Sequence, residues 1–165
     1  MNNHVDVYCG SGKGKTTLAM GGALLASVQG KSVMIIQFLK GQERREFDFL
    51  EHLDGQDIRI FRFEKLYGSY EDRSGRAREE EDQNILNAMN FARKVIVTQE
   101  CDLLVLDAVL GLLDLGIIKE DDIRNLLKFR KGSMHIVLTG ISFPKDMMDC
   151  VDRVTTLDTV ETGGA

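Results

Sequence analysis

Residues 5–17 read Val5-Asp6-Val7-Tyr8-Cys9-Gly10-Ser11-Gly12-Lys13-Gly14-Lys15-Thr16-Thr17, and this stretch decides the fold. Its first five residues alternate and are rich in β-branched and aromatic types, which predicts a short strand stopped at Gly10. From Lys15 onward Leu18, Ala19, Ala23, Leu24, Leu25 and Val28 recur at helical intervals, with Gly30 as the stop. Between strand and helix, glycines let successive backbone N–H groups turn inward around an anion, at a helix N-terminus whose dipole already favours negative charge. The stretch therefore reads as a phosphate-binding loop, with Gly10, Ser11, Gly12, Lys13, Gly14, Lys15, Thr16 and Thr17 as the nucleotide contacts. Lys15 and Thr16 are the candidate catalytic residues. Lys15 neutralises phosphate oxygens, and the Thr16 hydroxyl is placed to bind a Mg2+ shared with them.

The loop is a variant of the pattern G-x-x-x-x-G-K-[ST], because Cys9 stands where the first glycine belongs. A glycine-rich turn that merely links strand to helix is the competing reading. Lys13 reads equally well as a solvated lysine or as a second phosphate contact.

Leu103-Leu104-Val105-Leu106-Asp107 is an apolar run closing on a carboxylate, as a buried parallel strand does where its C-terminal end faces a nucleotide. Asp107 is the second candidate metal ligand beside Thr16; a helix cap or loop carboxylate is the alternative. Ala108 follows, so the acidic pair common in ATP hydrolases is absent.

The chain has 165 residues and one run of alternating strand and helix signals, which predicts one domain over residues 1–165. With 21 basic and 26 acidic residues its formal charge is −5, so nothing attracts nucleic acid or an anionic membrane, and a small-molecule partner is expected. Arg73, Arg76 and Arg78 cluster, but Glu79, Glu80, Glu81 and Asp82 follow at once, and the segment reads as a solvated helix start. Cys9, Cys101 and Cys150 are scattered and odd in number, which supports neither a disulfide framework nor a zinc site and suits a reducing cytoplasm. His4, His52 and His135 are likewise isolated and read as packed or surface residues. Apolar runs fall far short of a membrane span.

Further strands are predicted over residues 32–38, 58–63, 133–140 and 153–157, and helices over 43–53, 77–97, 120–129 and 145–150. The helix at 77–97 is expected to bury Ile85, Leu86, Met89, Ala92 and Ile96, whereas residues 64–75 form a loop over the site. The fold class expected is α/β: a P-loop NTPase-like three-layer sandwich, its mainly parallel sheet of five to six strands covered by helices on both faces.

GSGKGKTT at 10–17, GK-V-IIQFLKG across 30–41, LLVLD at 103–107, VLTG at 137–140 and D-VT at 152–155 together resemble the ATP:corrinoid adenosyltransferases. The resemblance covers nearly the whole chain in order and spacing. It implies transfer of the 5′-deoxyadenosyl group of ATP to the cobalt(I) of a corrinoid, with triphosphate leaving. It further implies that Gln37 and Lys40 flank the nucleotide and that Thr16 and Asp107 hold Mg2+. A homodimer and a flavoprotein-type cobalt reductase as partner are implied as well. The corrinoid loop of the family usually carries a phenylalanine and a tryptophan. This chain has no tryptophan and offers Phe63, Tyr67 and Tyr70 as corrinoid contacts, Tyr70 being read equally as an amphipathic loop residue. Ala108 stands where the family usually has glutamate, Ile141 where it usually has arginine, and set against the resemblance the family's C-terminal segment reads as missing or shortened after Glu161.

These departures keep a second function in view: an ATP-binding paralogue with reduced or lost transfer, serving as a regulatory module. A generic ATPase or small-molecule kinase ranks behind both, since Ala108 removes the carboxylate that would position water.

Overall fold

Apolar runs that are buried on both sides become the strands of a central sheet. The computed structural model describes residues 3–40, 45–65 and 68–164. In chain order β1 (His4–Cys9), α1 (Lys15–Val28), β2 (Val33–Gln37), β3 (Ile58–Arg62), α2 (Gly75–Thr98), β4 (Leu103–Asp107), α3 (Gly111–Asp114), α4 (Glu120–Lys128), β5 (His135–Thr139) and β6 (Arg153–Thr156) follow one another. The strands form one sheet in the order β3-β2-β4-β5-β1-β6. Every pairing is parallel, so the sheet is fully rather than mainly parallel. β2 and β4 are buried at every position, as central strands covered on both faces must be.

Alternation along each strand sorts the core into two layers. Val33, Ile35, Leu103, Val105 and Val137 pack under Ala19, Met20 and Ala23 of α1. Their neighbours Met34, Ile36, Leu104, Leu106 and Leu138 face the opposite side, where α2 and α4 contribute Ile85, Ala92, Ile123 and Leu127. Asp107 follows the parity of Leu103 and Val105. Its carboxylate therefore emerges on the α1 side, at the end of the sheet where α1 begins.

Several local expectations are corrected. Within the predicted helix at 43–53, residues 43 and 44 lie outside the described ones, and the rest holds only a 3-10 turn, Asp48–His52. Phe47, Leu50 and Leu53 are spaced by three and all pack on the α1-side core, which suits the three-residue repeat of that turn. The segment 145–150 is likewise a 3-10 turn, Lys145–Cys150. On α2 the buried stripe is Glu81, Ile85, Ala88, Ala92, Val95 and Ile96, whereas Leu86 faces solvent at 43 % exposure and Met89 is only partly covered. Arg73 and Glu81 are not solvated: they form a buried ion pair of 2.8 Å, 8 % and 0 % exposed. Arg76, which pairs with Glu80 on the surface, and Glu79 keep the expected character. The one-turn α3 after Asp107 was not foreseen.

Candidate functional site

The loop at residues 10–17 takes its shape from a close approach of the chain beyond β6. Gly12 N–H donates to Leu157 O at 2.8 Å, and Leu157 N–H donates to Cys9 O at 2.8 Å. A Cβ on Gly10 or Gly12 would lie 2.3 or 2.5 Å from Leu157 O, so only glycine fits at either place. Lys15 Nζ donates to Gly10 O at 2.7 Å and Gly12 O at 2.6 Å, which folds the ammonium across the loop. Lys13 behaves differently. Its backbone N–H donates to Thr159 Oγ1, and its side chain is 86 % exposed near Glu161, in keeping with the solvated reading.

Opposite the loop stands Asp107, fully buried at the end of β4. Its Oδ1 accepts from Thr16 Oγ1 at 2.9 Å and from Thr139 Oγ1 at 2.7 Å, and its Oδ2 from Gln37 Nε2 at 3.0 Å. Lys40 Nζ approaches the same group, 3.8 Å from Asp107 Oδ2 and 3.4 Å from Thr16 Oγ1. Ala108 turns away at φ 62, a left-handed conformation, and its N–H donates to Thr139 Oγ1 at 2.7 Å. Beside these groups opens a cleft of about 440 Å³ whose walls include Lys15, Thr16, Leu39, Lys40, Ala108 and Ile141. That volume falls within the range of small-molecule sites, roughly 300–1,000 Å³.

Lys15, Thr16, Lys40 and Asp107 are thus brought together. Gln37 is 4 % exposed and faces Asp107 and Arg62 rather than the cleft wall. Of the aromatics named as corrinoid contacts, Tyr70 and Phe63 have described surroundings. Tyr70 is 7 % exposed; its hydroxyl donates to Asp82 and accepts from Arg78 Nε, and the Arg78 guanidinium lies 4.7 Å from its ring centre. Burial, first, and the bond to Asp82 push its hydroxyl above the usual tyrosine range. Phe63 packs on Phe91 at 5.4 Å. Both rings therefore pack against residues of α2, as large aromatic faces do where they can be covered; Tyr67 lies outside the described residues.

Thr139 was missed as the group that orients Asp107, although a threonine closing an apolar strand before Gly140 is a weak sign of it. The packing of Leu157 and Thr159 on the loop left no sign in the sequence pattern.

An all-parallel α/β sheet with a Gly-Lys-Thr loop between its first strand and first helix defines a P-loop NTPase-like fold. A KaiC-like protein from Pyrococcus horikoshii shares it, with a TM-score of 0.58 over 98 % of this chain and 73 % of that one at 20 % identity. The family model described as ATP:corrinoid adenosyltransferase BtuR/CobO/CobP matches residues 2–162, and the chain belongs to that family. Corrinoid adenosyltransferase CobA of Salmonella typhimurium is 26 % identical over 156 residues, covering 94 % of this chain and 76 % of the relative. A corrinoid adenosyltransferase of Escherichia coli K12 is 24 % identical over the same shares.

Proposed function

We propose that this chain transfers the 5′-deoxyadenosyl group of ATP to the cobalt(I) of a corrinoid. Cobalt(I) attacks carbon 5′, the carbon–oxygen bond to the phosphate breaks, and triphosphate leaves with the electron pair. The observation that carries this reading is one cleft lined by Lys15, Thr16 and Lys40, with Asp107 bonded to Thr16 behind its wall, in a chain matched to the family over residues 2–162. Because the metal of the acceptor is itself the nucleophile, the protein needs no residue that activates water. What it must supply is orientation of carbon 5′ and positive charge around the leaving triphosphate. Lys15 and Lys40 provide that charge, and the loop N–H groups provide oriented donors.

The donor set suits Mg2+. Thr16 Oγ1 and Asp107 Oδ1 are adjacent hard oxygens, and Mg2+ is ordinarily held by one or two protein oxygens together with substrate phosphates. Among the described residues no group of three or more His, Cys, Asp or Glu side chains could hold a metal, which fits a cation that arrives with the triphosphate. When bound, it adds charge neutralisation to that of the two lysines. A flavoprotein-type reductase as electron donor, a homodimeric assembly and a cytoplasmic location complete the proposal. No helix among the described residues is long and apolar enough to cross a membrane.

Ala108 and Ile141 on the cleft wall favour a second reading, an ATP-binding paralogue with little transfer. Measuring ATP affinity and formation of the cobalt–carbon product on one preparation separates the two. Binding without product selects the paralogue.

A further inference from the structure

Leu39 lies on the cleft wall at φ 58, a conformation that strains any residue with a branched side chain. It is held there from another part of the chain, because its N–H donates to Glu64 Oε1. The next residue, Lys40, reaches Thr16 and Asp107 from that strained turn.

Glu64 does not stand alone. It is 4 % exposed, and burial, first, pushes its carboxyl above the usual range; the nearby Glu81 carboxylate adds to that rise, while the Leu39 bond and Arg73 oppose it. Arg73 Nη1 donates to Glu81 Oε2 at 2.8 Å and Nη2 to Gly68 O at 3.0 Å. Glu81 Oε1 accepts from Asn84 Nδ2 and from Lys65 N–H. Gly68 lines the cleft with Leu39, so the buried Arg73–Glu81 pair, bonded to Gly68 O and to the N–H adjacent to Glu64, links two parts of its wall. A buried guanidinium–carboxylate pair such as Arg73–Glu81 is a weak source of stability, since apolar side chains of similar volume often do as well. Together with Glu64 the pair does, however, fix a geometry that an apolar core could not: an acceptor aimed at the Leu39 amide.

We infer that Glu64 is a positioning residue for the nucleotide site: by holding the Leu39 turn, with Glu81 fixing the N–H of the adjacent Lys65, it aims Lys40 at the triphosphate. This rests on the reading of Lys40 and Thr16 as triphosphate contacts.

A double-mutant cycle on ATP affinity, read by calorimetric titration of ATP with Mg2+, tests it. Lys40→Ala and Glu64→Ala should each weaken ATP about tenfold, and the double variant should be no weaker than the worse single within about twofold. Glu64→Gln, whose amide oxygen still accepts from Leu39, should stay within about threefold of wild type. If Glu64→Ala fails to fold, Glu64→Leu takes its place in the cycle, filling the space without an acceptor. Losses that multiply in the double variant, or wild-type affinity without the Glu64 acceptor, overturn the inference while leaving the nucleotide reading intact. A wild-type chain that binds no ATP overturns both.

Discussion

The Thr16 hydroxyl donates to Asp107 Oδ1 across 2.9 Å, although 91 residues separate the two in the chain. Strand parity and sheet order bring them together. Asp107 emerges on the face that α1 covers, at the end where α1 starts, so a hydroxyl in the first turn of α1 meets a carboxylate at the end of β4. Thr139 and Gln37 hold the same carboxylate from β5 and β2.

Because three side chains share Asp107, losing one leaves it satisfied. Thr16→Ala should therefore keep the fold and its melting temperature within a few degrees, while ATP affinity falls at least tenfold, about 1.4 kcal/mol. Lys15→Ala should behave alike, since it removes a charge from the phosphate end of the cleft. Calorimetric titration and thermal melts check both, and undiminished affinity contradicts the phosphate-loop assignment.

Ala108 makes opposite predictions for two substitutions. At φ 62 a Cβ is unfavourable by about 1 kcal/mol, so Ala108→Gly should raise stability by something approaching that amount in urea unfolding. Ala108→Glu instead places a second carboxylate on the cleft wall beside Asp107. It should tighten the Mg2+ dependence of ATP binding, seen as a lower Mg2+ concentration at half-saturation; no change implies that another group supplies the ligand.

Much of this architecture is legible in the sequence because parallel strands buried on both faces leave unbroken apolar runs such as Leu103 to Leu106, and because a Gly-Lys-Thr loop has few other contexts. The pairing of Thr16 with Asp107 follows from those two features. Arg73 and Glu81 mislead for the converse reason: charges beside other charges look solvated, and only the packing of α2 on the sheet shows that these two are enclosed. Tyr70 lies in an irregular polar segment with no periodicity to mark a buried side, so its contact with Asp82 and Arg78 is invisible before folding. For residues 45–53, apolar spacing by three resembles a helix face but is met by a single 3-10 turn.

The enclosed pair has a measurable cost when broken. Arg73→Met leaves Glu81 buried without its guanidinium and should destabilise the chain by about 3–5 kcal/mol in chemical unfolding. Adding Glu81→Leu should recover part of that loss, since it removes the unpaired charge but also the acceptor of Lys65 N–H and Asn84. A small effect of Arg73→Met alone would mean that water reaches Glu81.

His4 and His135, isolated in sequence, converge with Arg153 on the buried Asp6, at 3.0, 2.8 and 2.8 Å. Burial by itself raises the Asp6 carboxyl, but hydrogen bonds from Arg153 and His135 and their charges outweigh it and hold the group below its ordinary value. A carboxyl depressed in the folded state adds stability above its unfolded pKa, about 3.9, and loses it as the pH falls through the folded value. Asp6→Asn should therefore destabilise at pH 7 by about 1–3 kcal/mol, with the difference from wild type shrinking below about pH 4. A difference that stays constant down to pH 2 contradicts this account.

The central claim is tested most directly by mixing the protein with ATP, Mg2+ and a chemically reduced corrinoid and following the cobalt–carbon product by its absorbance. The account predicts stoichiometric release of triphosphate with product formation, and loss of both by at least tenfold in Lys15→Ala. ATP that binds tightly and yields no alkylated corrinoid, or yields phosphate in place of triphosphate, contradicts it.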